Sequence, residues 1–209
     1  MALNWSCFLS FRGGKGDLAL GIVDLFAKVL TNELELQTDA GLYRYSEEMV
    51  AGDIIDPSIA EALTTSACMI VLFTGKYFSK SKSYCAREYL AMTRLEKVRL
   101  KLLSPDKPPT KGLIVPVILR NPDRFPHDLK SPFMFDFTEF GQDDSGISKP
   151  KKFFSDVRKI AEYAASRYYE LDDVLDDTET VAFPDEKEAL DFLAKLDHSP
   201  KAASKAARK

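Results

Sequence analysis

Histidine is almost missing from this chain of 209 residues: His127 and His198 are the only two, far apart in loop-like and tail-like surroundings. That removes the commonest metal ligand and the commonest general base, so no metal site is expected. Cysteine is scarce as well. Cys7, Cys68 and Cys85 lack the paired spacing of a zinc site, and two of them fall inside apolar, strand-like runs. They read as small buried hydrophobes of a reducing compartment, which points to a cytoplasmic protein. Long hydrophobic runs are absent too: Cys68–Phe73 and Leu113–Leu119 are strand-sized, far below the ~20 residues of a membrane span. Met1–Trp5 has no basic stretch leading into an apolar one, so no signal peptide is expected. Finally, there is no excess of one charge. With 29 basic and 32 acidic residues the net charge is −3, which gives no electrostatic case for nucleic acid as a partner.

What remains is the composition of an ordinary globular domain, 45% hydrophobic and 29% charged. Ser6–Phe11 is a short apolar run that ends at Arg12-Gly13-Gly14, a strand followed by a glycine-rich turn. Asp17 is placed to cap a helix whose apolar positions Leu18, Ile22, Phe26, Val29 and Leu30 follow helical spacing. Gly41–Tyr45 is a second strand. After the polar loop Ser46–Asp53, Asp56 as cap and Pro57 in the first turn open another helix. Ala67–Thr74 is apolar without alternation, as a parallel strand buried on both faces should be. A Ser/Lys-rich loop and a helix from about Tyr84 to Leu100 follow. Leu113–Leu119 is a fourth strand, although Pro116 inside it demands a bulge or a place near the sheet edge. Phe133–Phe137 is a weak fifth strand, and Phe153–Tyr169 an amphipathic helix.

Strands alternating with helices in this way imply an α/β fold, a five-stranded, mainly parallel sheet with helices on both faces. Ligands of such folds bind outside the carboxyl ends of the strands. That rule gathers Arg12, the Tyr45–Asp53 loop and the Gly75–Tyr84 loop on one rim. Past residue 170 the character changes. Residues 171–198 read as an acidic linker and a short helix over Pro184–Leu196, with an apolar side able to dock on the domain or on a partner. Residues 199–209 are a basic tail, expected to be disordered and solvated.

Three local motifs carry a family resemblance. Phe8-Leu9-Ser10-Phe11-Arg12-Gly13 resembles the first box of Toll/interleukin-1 receptor (TIR) domains. Tyr43–Ile54 is similar to the second box, and Tyr84-Cys85-Ala86-Arg87-Glu88 to the aromatic-Cys-x-x-Glu signature on the helix after the third strand. The likeness covers roughly residues 5–170. It departs from the pattern at Tyr45, where many members carry Asp, and at the third box, which is at best Phe135-Asp136-Phe137. The resemblance implies a flavodoxin-like, three-layer TIR fold over residues 1–170 with a C-terminal helical extension.

In the enzymatic branch of that family the resemblance implies cleavage of the nicotinamide–ribose bond of NAD⁺, which is substrate here; no cofactor is called for. That bond breaks through an oxocarbenium-like transition state, so the protein must supply one well-placed carboxylate and a pocket that orients the dinucleotide. Glu88 matches the family's catalytic glutamate, and its place near a helix N-terminus is expected to favour the ionised form. Arg12 is a candidate to grip a phosphate. Phe11 and Tyr43 are candidates to stack on nicotinamide or adenine, Tyr84 to wall the ribose pocket, and Ser81 to donate a hydrogen bond; Tyr45 belongs to the same rim. Cys85 reads as packing. Whether water or the same molecule captures the ribosyl cation, giving ADP-ribose or a cyclic isomer, stays open. Relatives commonly become active on association, so self-association with other TIR domains through the 45–53 loop is expected. A stand-alone protein of this kind resembles antiphage or virulence components, with a further protein of the same system as a possible partner class.

The rival reading is a non-catalytic TIR adaptor acting through homotypic contacts. A receiver domain is disfavoured because the first strand ends Phe-Arg-Gly and Thr74-Gly75 follows the third, where acidic residues would be required. Gly13–Gly16 lacks the Gly-x-x-x-x-Gly-Lys-Ser/Thr pattern of a phosphate loop.

Overall fold

The computed structural model describes residues 2–12, 17–45, 55–81, 83–106, 110–126, 129, 134–140, 142–143, 146–175 and 182–198. The elements run β1 (Trp5–Phe11), α1 (Asp17–Glu35), β2 (Gly41–Tyr43), α2 (Ile55–Thr64), β3 (Ser66–Phe73), α3 (Tyr84–Leu103), β4 (Ile114–Ile118), a short 3-10 turn (Pro122–Arg124), β5 (Phe135–Asp136), β6 (Gln142–Asp143), β7 (Gly146–Ile147), α4 (Pro150–Asp172) and α5 (Glu186–His198). β1 to β5 form one sheet in the order β2-β1-β3-β4-β5, and every pairing in it is parallel. This is the flavodoxin-like order. The chain steps from β1 outward to β2 and then returns to β3 on the other side of β1. Right-handed crossovers in opposite directions put their helices on opposite faces. α1 accordingly packs with α4 on one face, and α2 with α3 on the other.

β3 explains itself. All eight of its residues are buried, because helices cover it from both sides. β4 answers the objection raised by Pro116, which pairs with Val71 in an otherwise regular strand. Leu119 N–H donates to Phe73 O on β3, while Phe137 N–H donates to Ile118 O from β5. Main-chain groups alternate sides along a strand, so position 116 faces the β5 side. There, among the described residues, β5 begins only opposite Val117, so the missing donor interrupts no ladder bond of theirs.

Two expectations need correction. β2 ends at Tyr43 and not at Tyr45. Asp56 is not the cap of α2 but lies inside its first turn, where its carboxylate is taken by Arg87. The expected turn at 13–16, loop at 46–54 and tail at 199–209 lie outside the described residues.

At the amino end of the sheet Arg99 of α3 is fully buried. Its guanidinium donates to Ser66 O and to Thr64 O, both at 2.5 Å. It thus closes the carbonyl end of α2 and the entry of β3 together, cation against helix C-terminus. Arg99→Met keeps the apolar stem but removes these donors. It is expected to cost about 2–4 kcal/mol of unfolding free energy, from buried carbonyls left without partners. Urea unfolding measures it, and a loss below about 1 kcal/mol would contradict the role given to Arg99.

Candidate functional site

Ser6 and Ser10 are hydroxyls in a strand whose middle is entirely buried, so each needs a partner. Ser6 Oγ donates to Ala40 O at 2.7 Å. Ser10, one residue before the end of β1, donates its hydroxyl to Glu88 Oε2 at 2.5 Å. It also lies 2.5 Å from the Tyr77 hydroxyl. A serine has one proton to give. With Glu88 ionised, Ser10 gives that proton to the carboxylate and Tyr77 must therefore donate to Ser10. The result is a chain of three groups, Tyr77–Ser10–Glu88, between the ends of β1 and β3. That gap is where the strand order reverses, the place where open α/β sheets hold their ligands.

Glu88 gets there because α3 turns one stripe to the sheet: Cys85, Glu88, Met92, Leu95 and Arg99 are all buried and follow helical spacing. Glu88 is the acid of that stripe, 8% exposed. Burial pushes its carboxyl from 4.5 up to about 7, against the smaller lowering effects of the Ser10 hydrogen bond and the Arg87 charge. The sequence expectation that the helix terminus keeps Glu88 readily ionised is corrected here: desolvation outweighs it. Tyr77, completely buried, is likewise raised well above an ordinary phenol, chiefly by burial.

Arg12 follows β1 onto the same rim. Its Nη1 donates to Lys76 O at 2.6 Å, and its Nη2 reaches Ser81 Oγ at 3.5 Å. Ser81 in turn lies 3.0 Å from Ser79 Oγ. Glu88, Arg12 and Ser81 are therefore gathered around one loop, residues 74–81. Tyr84 stands at the head of α3, 42% exposed, with the Arg87 guanidinium 5.1 Å from its ring centre.

The other candidates lie differently. Tyr43 is withdrawn into the core, stacked on Phe8 at 5.2 Å and edge-on to Trp5 at 5.4 Å. Tyr43 is only 6% exposed, and its ring is engaged in this packing. Tyr45 is half-buried against the same core. Phe11 is half-buried at the end of β1, with the Arg44 guanidinium 5.3 Å from its ring. Phe137, from the expected third box, is fully buried among Phe26, Phe140 and Phe153.

Sequence reasoning passed over Ser10, Tyr77 and Arg87. A groove of about 480 Å³ lies elsewhere, beside the amino ends of β4 and β5, lined by Lys111, Met134, Phe135, Lys159, Glu162 and Tyr163. Its carboxylate, Glu162, is exposed, and nothing in it resembles the buried acid of the opposite rim. Among the described residues no cluster of His, Cys, Asp or Glu is arranged to hold a metal ion. Among them, too, no helix is long and apolar enough to cross a membrane.

No family profile and no curated protein matches the chain. Among solved structures, the chain is similar to the TIR domains in the activated Roq1 resistosome that directly recognises the pathogen effector XopQ. That similarity covers 90% of this chain and 96% of the other, with 16% identity and a TM-score of 0.38. At that level the architecture rests on the strand order itself. Fold and site together define a flavodoxin-like α/β domain with a buried acid at its topological switch point.

Proposed function

We propose that the protein is a TIR-type NAD⁺ nucleosidase in which Glu88 faces the ribose as nicotinamide departs. The observation that carries this reading is the position of the Glu88 carboxyl, buried at the switch point and held by one hydroxyl. A carboxyl raised to about 7 is costly to keep ionised, and such groups concentrate at functional sites. Nicotinamide leaves as a neutral molecule and needs no general acid. Positive charge grows on the ribose, and an ionised Glu88 in a poorly solvated place stabilises it more strongly than water does. Arg12 supplies the cation for a phosphate once it leaves Lys76 O, Ser81 lies beside it, and the exposed ring of Tyr84 offers a wall for the sugar. Water or an internal nucleophile then captures the cation.

Self-association through the 45–53 loop, with a cytoplasmic location, completes the reading. The loop stands next to the same rim in sequence, between Arg44 and Asp56, and a neighbour's copy there would help exclude water. The test is nicotinamide release from NAD⁺ by the full chain, followed over a wide range of protein concentration and with the chain clustered on a support. Release per molecule should rise with concentration or clustering, and the accompanying product separates hydrolysis from cyclisation. No release under any of these conditions leaves the scaffold reading in its place.

A further inference from the structure

The segment beyond α4 is not an appendage to the site. Its helix α5 has a reciprocal cap: Glu188 N–H donates to Asp185 Oδ1 at 2.8 Å, and Asp185 N–H to Glu188 Oε2 at 3.1 Å. So fixed, α5 lies on α3. Ala189 and Leu193 are buried against Ala86. Phe192 stacks on Tyr89 at 5.9 Å and meets Phe78 edge-on at 5.8 Å. Arg94 joins Glu188 and donates to Ala182 O.

Two routes lead from this segment to Glu88. In the first, Phe78 touches Tyr77 edge-on at 4.8 Å, and Tyr77 holds Ser10. The second is Arg87, the residue just before Glu88. Its Nε donates to Pro184 O at 2.6 Å. Its two Nη atoms form a fork on Asp56, at 3.2 and 2.6 Å. Its guanidinium also lies 4.5 Å from the Phe183 ring centre and 5.1 Å from that of Tyr84. One side chain thereby ties the 182–198 segment, the first turn of α2 and the head of the Glu88 helix. A surface salt bridge would need none of this: Arg87 itself is 9% exposed.

We propose that residues 182–198 form a strap built into the candidate site, and that Arg87 is the positioning residue through which the strap sets Tyr84 and the head of α3. The proposal rests on the NAD⁺ reading only for its kinetic readout. Lysine at 87 keeps the charge beside Glu88 but has neither the fork for Asp56 nor the Nε donor for Pro184. Phe192→Asp loosens the strap without touching Arg87.

In the whole 209-residue chain each single variant is expected to raise KM for NAD⁺ about tenfold, with kcat changed far less. The double variant should be no worse than either single one, since coupled residues are not additive. Hydrogen exchange at the amides of 84–88 should accelerate in both variants, with the β3 amides left protected. Multiplied effects in the double variant, kcat falling in step with the folded fraction, or unchanged exchange at 84–88 in Phe192→Asp would overturn the proposal. If the unsubstituted chain releases no nicotinamide, the NAD⁺ reading has failed and the exchange data alone decide the strap.

Discussion

Glu88→Gln is expected to lower nicotinamide release by about 10²–10³-fold, the usual loss when one group that stabilises transition-state charge is removed. The same substitution should make the protein more stable at pH 8. Folding raises the Glu88 carboxyl from 4.5 to about 7, so between those values the folded chain holds more protons than the unfolded one. Its stability therefore falls as pH climbs through that window and stays low above it. The shift corresponds to about 3 kcal/mol at most. Glutamine stands in for the neutral acid and is free of that cost. At pH 8 the variant should therefore melt several degrees above the parent, by roughly 2–4 °C per kcal/mol for a chain of this size. At pH 4 the two should melt together. Measured at both pH values, melting and release together separate a functional acid from a structural one. A structural Glu88, satisfied by its surroundings, would give a variant that is less stable at pH 8 and whose release is unchanged.

How much of this is legible in the sequence depends on how local the cause is. β3 announces itself by eight consecutive residues without a polar side facing water, and α1 and α4 by helical spacing. The appended helix was legible from its apolar side, while its capping pair, Asp185 and Glu188, appears only in the structure. Glu88 and Arg12 stood out through their motifs, Glu88 near the start of a helix and Arg12 at the end of the first strand. Ser10 gave a signal that was not used: a hydroxyl in an apolar strand must find a partner. The partners, however, are 67 and 78 residues away, and only the order β1-β3 brings them in. Tyr77 sat in a loop rich in Ser and Lys, where an aromatic reads as incidental. Arg87 stood in the sequence only as a variable position of the third motif. Its real partners, Asp56 and Pro184, come from two other elements and no spacing rule links them. Tyr43 shows the opposite case. A strand-end aromatic next to a motif invites a ligand, yet Trp5 and Phe8 on the adjacent strand already take up its ring.

The pH profile of release carries the most direct signature of the Tyr77–Ser10–Glu88 chain. If the ionised carboxylate does the work, kcat/KM should fall about tenfold per unit below pH 7, reaching roughly a hundredfold loss at pH 5. An ordinary exposed glutamate would hold its rate down to about pH 4–5. Ser10→Ala removes a hydrogen bond that favours the charged form, while burial, the larger influence, is unchanged. Its acid limb should therefore move above 7, with activity near pH 9 recovering toward that of the parent. Tyr77→Phe acts one step further away. It deprives Ser10 of its donor and makes the serine a weaker partner, so the limb should move in the same direction by less. This ordering, with Ser10→Ala beyond Tyr77→Phe beyond the parent, follows from the direction of the hydrogen bonds. A limb that stays near 4–5 in all three proteins would mean that the carboxyl is solvated when it reacts. A limb that moves downward in Ser10→Ala would mean that the serine accepts from a protonated Glu88 and favours its neutral form, whereas a rate that falls as pH rises through 7 would mean that the acid, not its anion, is the active form.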